Sequence, residues 1–217
     1  MSKKSTPDRE NLGEPLGYSP DRTMSFTSPT PFLFARSLLL NPRAMGALAP
    51  SSPKLSQLMA SLVDPANSLV LEIGAGTGAV TRALLARNVQ PDRLIVIERD
   101  PSLAAFLRRE FPGVRVRCGE AVHLSRILSD ESVGRVDTVV SSLPLRNLPP
   151  VDRIRNVRAM INALAHGGQL IQYTYFAGCP IPSSRLGLEA ELLGRVWLNL
   201  PPASVWRFTV KRPFPAA

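Results

Sequence analysis

Three glycines at alternate positions, Gly74, Gly76 and Gly78, follow an apolar run and precede a segment with helical spacing. Side chains are therefore absent where a predicted strand turns into a predicted helix. Such a turn lets a ligand lie against backbone N–H groups. A second predicted strand, 94–97, ends in Glu98, which is placed to accept hydrogen bonds from a ribose. The pattern predicts a nucleoside site, although a tight turn with no ligand would use the same glycines.

The spacing of the glycines separates two classes of ligand. A dinucleotide fingerprint has two residues between its second and third glycine, because a pyrophosphate approaches the helix N-terminus. Here only Thr77 separates Gly76 from Gly78, and Glu72 lies two residues before the first glycine. A carboxylate beside the loop suits a cationic amino-acid group better than a pyrophosphate.

Residues 72–78 resemble motif I of the class I S-adenosylmethionine (SAM) methyltransferases. The resemblance implies that SAM is the cofactor and S-adenosylhomocysteine the product. It assigns to the cofactor Glu72, Gly74, Ala75, Gly76, Thr77 and Gly78.

The composition fits one folded domain. The chain has 217 residues and is 44% hydrophobic, which is enough to bury a full core. Cys118 and Cys179 match no disulfide framework and no metal spacing, so we expect a reducing compartment and no metal. The first residues lack the apolar core of a signal peptide. These features predict a cytoplasmic protein.

The charge predicts an anionic partner. The net charge is +9, which indicates attraction to nucleic acid or to a membrane surface. Most of the positive charge is arginine, whose guanidinium matches phosphate oxygens. The sequence has no run of five like charges and no interleaved aromatic and basic residues, which disfavours nucleic acid without excluding it.

An apolar segment near the start suggests how a membrane could be reached. Residues 32–40 are apolar almost all round, but a bilayer span needs roughly 20 residues. We predict an interfacial helix with Arg36 and Arg43 directed to headgroup phosphates, although a core helix fits equally. We divide the chain into a mobile segment 1–30, N-terminal helices 31–66 that face the membrane or cover the substrate, and a methyltransferase domain 67–217.

From residue 68 onward, strand and helix signals alternate, which predicts an α/β, doubly wound, mainly parallel sheet of the Rossmann-like kind. Strands are predicted at 69–73, 94–98, 114–118, 138–141 and 169–176, and helices near 77–87, 101–111, 122–130 and 151–165. Another helix is predicted to start at Ser51 to Pro53. A short helix at 186–193 and a hairpin of 196–200 with 205–210 would close the domain. Seven strands with a reversed last strand are the pattern of the SAM-methyltransferase sheet.

Ligands of such sheets lie outside the carboxyl ends of the strands, so the next loops should complete the site. The resemblance implies that Glu120 and Ala121 contact the adenine, with Gly119 beside them and Arg99 beside the ribose acid. Glu120 is also explained as an exposed acid at a helix N-terminus.

The loop that starts at Ser141 has the position of motif IV, which faces the methyl group and the acceptor. Adenine N6-methyltransferases carry an aromatic residue there to stack the base, whereas here Leu145 follows Pro144. The sequence Ser-Ser-Leu-Pro-Leu is similar to the Ser-Gly-Leu-Pro-Leu of bacterial phospholipid N-methyltransferases. Segments 41–52, 172–175 and 196–206 are similar to that family too.

The resemblance implies methylation of the amine of phosphatidylethanolamine, once or successively to phosphatidylcholine. The expected enzyme is a monomer, peripherally attached to an anionic cytoplasmic membrane, with a phospholipid substrate. Ser141, Ser142 and the Leu143 carbonyl would orient the amine, and Tyr173 and Tyr175 would contact the amine or the phosphate. Three alternatives stay open: an rRNA adenine N6-dimethyltransferase, an ornithine-lipid N-methyltransferase, and a SAM-binding membrane protein without activity.

Overall fold

The computed structural model describes residues 52–66, 68–197, 199 and 201–211. The predicted mobile segment and the predicted interfacial helix at 32–40 lie outside these residues, and both stay predictions. Within the described part of the chain, no helix has the length and apolar character needed to cross a bilayer.

Seven strands form one sheet in the order β3-β2-β1-β4-β5-β7-β6. They are β1 (Val70–Ile73), β2 (Leu94–Glu98), β3 (Arg115–Cys118), β4 (Val136–Ser141), β5 (Leu164–Thr174), β6 (Leu188–Val196) and β7 (Ala203–Val210). The first five run parallel, and β7 lies antiparallel between β5 and β6. The predicted Rossmann-like sheet with a reversed last strand is confirmed.

Five helices cover the sheet among the described residues: α1 (Pro53–Ser61), α2 (Ala79–Ala86), α3 (Pro101–Glu110), α4 (Leu124–Asp130) and α5 (Pro150–Ala163). The predicted start of α1 is confirmed, because the Ser52 hydroxyl caps it by accepting from the Leu55 N–H at 3.3 Å. Asp100 caps α3 in the same way through two backbone N–H groups. Side-chain caps thus mark the starts of α1 and α3.

Successive side chains along each strand point to opposite faces of the sheet and pack into two separate hydrophobic cores. Val70 and Val140 belong to the core that packs under α1, α2 and α3, whereas Leu71 and Val139 belong to the core under α4 and α5. Because neighbouring residues of a strand point to opposite faces, Glu72 lies on the α1–α3 face of the sheet.

The predicted helix at 186–193 is wrong, because residues 188–193 belong to the edge strand β6 and Leu186 ends a short 3-10 helix. Its residues have good helix propensity, but Glu189 to Leu192 are all exposed and offer no apolar stripe for packing. Pairing with β7 satisfies the backbone instead, with a register shift between Leu192 and Gly194. The hairpin therefore begins at Leu188, eight residues before the predicted start, since tertiary pairing overrides local propensity.

Candidate functional site

The glycine loop between β1 and α2 has a backbone that only glycine adopts easily. Gly74, Gly76 and Gly78 have φ values of 74°, 57° and 81°. The Gly74 N–H donates to the Ile97 carbonyl at 2.8 Å, and the Gly78 N–H donates to the Ala75 carbonyl at 2.9 Å. These two amides hold the loop in place, so they are not the bare N–H groups expected from the sequence.

Space around the glycines differs from one to the next. A Cβ at Gly76 would meet nothing within 4 Å, so this glycine borders open space. A Cβ at Gly78 would lie 2.4 Å from the Phe111 ring, so its glycine is needed for packing against the end of α3. A Cβ at Gly74 would lie 3.3 Å from the Leu143 side chain, which brings the loop after β4 against the glycine loop.

Glu98 ends β2 and is tied to the glycine loop. Its Oε2 accepts from the Gly76 N–H at 2.8 Å, and its Oε1 accepts from the Asp100 N–H at 2.9 Å. The residue is 7% exposed. Each carboxylate oxygen has a second lone pair, so this acid can still accept from ribose hydroxyls.

Glu72 lies beneath the loop, fully buried. Its Oε2 accepts from the Thr81 hydroxyl at 2.7 Å, while its Oε1 has no hydrogen-bond partner among the described residues. Burial raises the pKa of Glu72 to about 7, against the lowering effect of the Thr81 hydrogen bond. A buried acceptor without a donor is costly, and an ammonium group would satisfy it.

The loop after β3 lies beside Glu98. The Gly119 N–H donates to the Glu98 carbonyl at 3.0 Å, which fixes this turn at the end of β2. Glu120 is exposed, and Ala121 is buried in the core under α4 and α5. The exposed side chain of Arg99 follows Glu98 directly.

The loop after β4 is fixed to the end of β1. The Ser142 N–H donates to the Ile73 carbonyl at 2.9 Å. Ser141 is fully buried, and its hydroxyl accepts from the Leu143 N–H at 3.3 Å. Ser142 and Leu143 are half-buried, so they form the surface of this loop.

The Leu143 carbonyl differs from its predicted role. It accepts from the Gln172 side-chain amide at 3.0 Å and from the Leu145 N–H at 2.8 Å. Both lone pairs are therefore engaged within the protein, and the carbonyl has no acceptor site left for a substrate amine.

Gln172 is a residue that the sequence reasoning did not assign. It pairs with Ser141 in the sheet register and is fully buried. Its amide also donates to the Tyr173 carbonyl at 2.7 Å, and its Oε1 has no partner within the described residues. The available signal was an amide side chain inside the predicted strand 169–176, directly after Leu170 and Ile171. Gln172 therefore holds the loop after β4 through the Leu143 carbonyl.

The two predicted tyrosines form a separate group. Their rings meet edge to face with centroids 5.3 Å apart, and both pack against the core under α1–α3. Tyr173 points to the sheet face of Glu72, whereas Ser141 points to the opposite face. Ser141 and the tyrosines thus approach the carboxyl edge of the sheet from different sides.

The fold and the site can be compared with known proteins. A family model described as "Methyltransferase domain" matches residues 71–170. The chain is 36% identical over 148 residues to an ornithine lipid N-methyltransferase from Singulisphaera acidiphila, which covers 66% of this chain and 77% of that protein. A ribosomal RNA small subunit methyltransferase A from Chlorobium chlorochromatii is 33% identical over 82 residues, 38% of this chain and 30% of that protein.

Solved structures agree on the fold. A TehB-like SAM-dependent methyltransferase from Corynebacterium glutamicum superposes with a TM-score of 0.56 at 18% identity, over 84% of this chain and 100% of that chain. The chain belongs to the class I SAM-dependent methyltransferases, and S-adenosylmethionine is its cofactor.

The residues present fit this cofactor. The orphaned Oε1 of Glu72 suits the ammonium of the methionine part, and Glu98 suits the ribose hydroxyls. The open space beside Gly76, whose N–H is held by Glu98, leaves room for a ligand next to that acid. When bound, the cofactor supplies a methyl group on a positively charged sulfur. The carboxylates of Glu72 and Glu98 would hold the cofactor.

Proposed function

We propose that the chain methylates the primary amine of a membrane-lipid headgroup, as a peripheral enzyme at the cytoplasmic membrane. The observation that carries the proposal is the position of Leu145. A nucleobase acceptor needs a ring to stack on in this loop, but Leu145 is 1% exposed and packs into the core under α4 and α5. The first candidate lipid is phosphatidylethanolamine.

The transfer needs a neutral amine. An alkyl ammonium has a pKa of about 10.4, so almost all of it is protonated at neutral pH. The half-buried Leu143 and Pro144 form an apolar surface at the loop, which favours the uncharged form of the amine. The headgroup ammonium would first lose a proton to water, and bound SAM would then supply the methyl group to the neutral nitrogen, with S-adenosylhomocysteine as the other product. The reaction needs no strong base. Alignment of the nitrogen, the methyl carbon and the sulfur is therefore expected to contribute most of the acceleration.

Ornithine lipid is the second candidate acceptor. The relative from Singulisphaera acidiphila is named for that lipid, and its alignment covers most of its own length. An ornithine headgroup also carries a primary amine, so the same loop and the same chemistry would serve both lipids. The ribosomal RNA methyltransferase matches over a much smaller share of its own length, so the comparison supports an RNA acceptor less than a lipid acceptor.

One assay distinguishes the acceptors. The full chain is incubated with SAM labelled in its methyl group and with vesicles of phosphatidylethanolamine, vesicles of ornithine lipid, or ribosomal RNA. We expect label in one or both aminolipids and none in phosphatidylglycerol vesicles, which carry no amine. Glu72→Gln is the control, because it removes the carboxylate at the cofactor and should abolish labelling of every acceptor. Label in RNA alone, or in no lipid, would refute the proposal.

A further inference from the structure

Two large aromatic side chains are exposed at the same edge of the sheet. Phe176 follows β5 and is 47% exposed, and Trp197 follows β6 and is 70% exposed. Both strands end at the carboxyl edge, where the glycine loop and the loop after β4 also lie. Exposed rings at a ligand-bearing edge indicate contact with a partner.

The sheet register shows how near the two rings are in the fold. Thr174 pairs with Ser204, and Ser204 pairs with Arg195, so the three residues form one row across β5, β7 and β6. Phe176 and Trp197 each lie two residues beyond this row. Neighbouring strands are about 4.8 Å apart, and β7 lies between β5 and β6. The segments that follow β5 and β6 therefore leave the sheet about 10 Å from one another.

An arginine guanidinium lies over each of the two rings. The guanidinium carbon of Arg146 lies 4.8 Å from the centre of the Phe176 ring, and that of Arg195 lies 5.9 Å from the centre of the Trp197 ring. These distances are in the range of cation–π contacts. Arg146 follows Leu145 in the loop after β4, so the pair at Phe176 borders the acceptor side of the site.

We propose that these four residues, which we call the aromatic–arginine edge, dock the enzyme on a phospholipid surface. The inference rests on the proposed function and names where the lipid surface would lie. A tryptophan ring settles at the level of the headgroups, a phenylalanine ring enters the apolar boundary beneath them, and guanidinium groups bind phosphate oxygens in a bidentate manner. An arginine held over a ring has less freedom to lose on binding. Docking at this edge brings the loop after β4 to the headgroup amines.

Charge and geometry favour a membrane over single-stranded RNA. A base stacks on the face of a ring, but a guanidinium already covers one face of each ring. The phosphates of a bilayer need only the outward side of the arginines. The net charge of +9 adds long-range attraction to an anionic surface.

Vesicle sedimentation tests the proposal on the full chain. Vesicles of phosphatidylcholine and phosphatidylglycerol are mixed with the parent protein and with the double variant Phe176→Ser/Trp197→Ser. We expect binding about tenfold weaker or more in the variant, because two rings no longer enter the interface. Val210→Ser is the matched control, since Val210 is 53% exposed at the opposite edge and should not change binding.

A second pair of variants keeps the test independent of the rings. Arg146→Gln/Arg195→Gln should also weaken binding about tenfold and reduce its dependence on salt. The control Arg87→Gln/Arg126→Gln removes the same charge from exposed positions elsewhere and should change binding far less. Unfolding temperatures should match that of the parent, because all these side chains reach solvent.

The outcomes separate this inference from the proposed function. Methylation of glycerophosphoethanolamine, a soluble headgroup, should be the same in the parent and the ring variant, while methylation of vesicle lipid falls. Unchanged sedimentation of both double variants would overturn the inference even if the parent methylates lipids. A loss of single-stranded RNA binding with vesicle binding intact would overturn it too. A parent that binds vesicles through this edge but methylates no lipid would refute the proposed function alone.

Discussion

The binding of SAM should weaken about tenfold between pH 8 and pH 6, because Glu72 must lose its proton to meet an ammonium group. Burial raises the pKa of this carboxyl to about 7 in the free protein. About nine tenths of the protein is then ionised at pH 8 and about one tenth at pH 6, and the apparent affinity falls with the competent fraction. Binding should release about one proton at pH 6 and almost none at pH 8.

Two substitutions test the assignment of this titration. Thr81→Val removes the hydroxyl that donates to Glu72 at 2.7 Å and lowers its pKa, so the midpoint should move to higher pH. Glu72→Gln should bind SAM weakly and without dependence on pH in this range. Thr209→Val, which removes a hydroxyl from the far end of β7, should leave the midpoint where it is in the parent.

Stability of the free protein should follow the same group with a defined sign. The folded pKa of Glu72, about 7, exceeds the ordinary value of 4.5, so the folded state binds more protons between these values. The free energy of unfolding should therefore decline as pH rises from 4.5 to 7 and then level off. A pKa raised from 4.5 to about 7 corresponds to a decline of about 3 kcal/mol in the free energy of unfolding, and Glu72→Gln should remove this decline.

Calorimetric titration at several pH values, in buffers that differ in ionisation enthalpy, measures both the dissociation constant and the proton release. Denaturant unfolding at pH 5 and pH 8 measures the stability. A dissociation constant that stays flat from pH 6 to pH 8, with no proton released, would refute the reasoning. So would an unchanged midpoint in Thr81→Val.

Further predictions concern the glycine loop, the acceptor loop and the first part of the chain. Gly78→Ala should lower the free energy of unfolding by about 2 kcal/mol or more in a denaturant titration, because its Cβ would overlap the Phe111 ring. Gly76→Ala should cost only about 1–2 kcal/mol of backbone strain yet weaken SAM binding, since its Cβ enters the open space; equal effects of the two variants on stability would contradict this. Gln172→Leu should lower kcat much more than it raises the dissociation constant for SAM, because it releases the Leu143 carbonyl, and an unchanged kcat would show that this contact positions nothing. Deletion of residues 1–48 should reduce flotation with anionic vesicles, and unchanged flotation would refute the interfacial helix.

The cofactor half of the site could be predicted from the sequence because it is local. The glycines, Glu72 and Glu98 lie at the ends of two adjacent strands, and parallel strands bring those ends to one edge. The positive φ values explain the glycines, but the packing role of Gly78 depends on Phe111, which lies more than thirty residues away in the chain. Local sequence carries no signal for such a contact.

The acceptor half could be predicted less well because its contacts cross the sheet. The Leu143 carbonyl was predicted to orient the amine, but Gln172 on the adjacent strand donates to it. The strand β6 was missed for a related reason, since only its pairing with β7 selects the extended form. Positions whose structure is decided by a distant partner need the fold before they can be assigned.

The three backbone ties at Glu98 limit how this enzyme could change its nucleoside preference. Its side chain holds the N–H groups of Gly76 and Asp100, and its carbonyl accepts from Gly119. A substitution there would remove the ties to Gly76 and Asp100 while the backbone tie to Gly119 remained, so loss of binding would be accompanied by loosening of two loops. Glu120 is exposed at the neighbouring turn. The predicted contact of Glu120 with the adenine makes position 120 the expected place for a change of purine preference, while position 98 stays fixed.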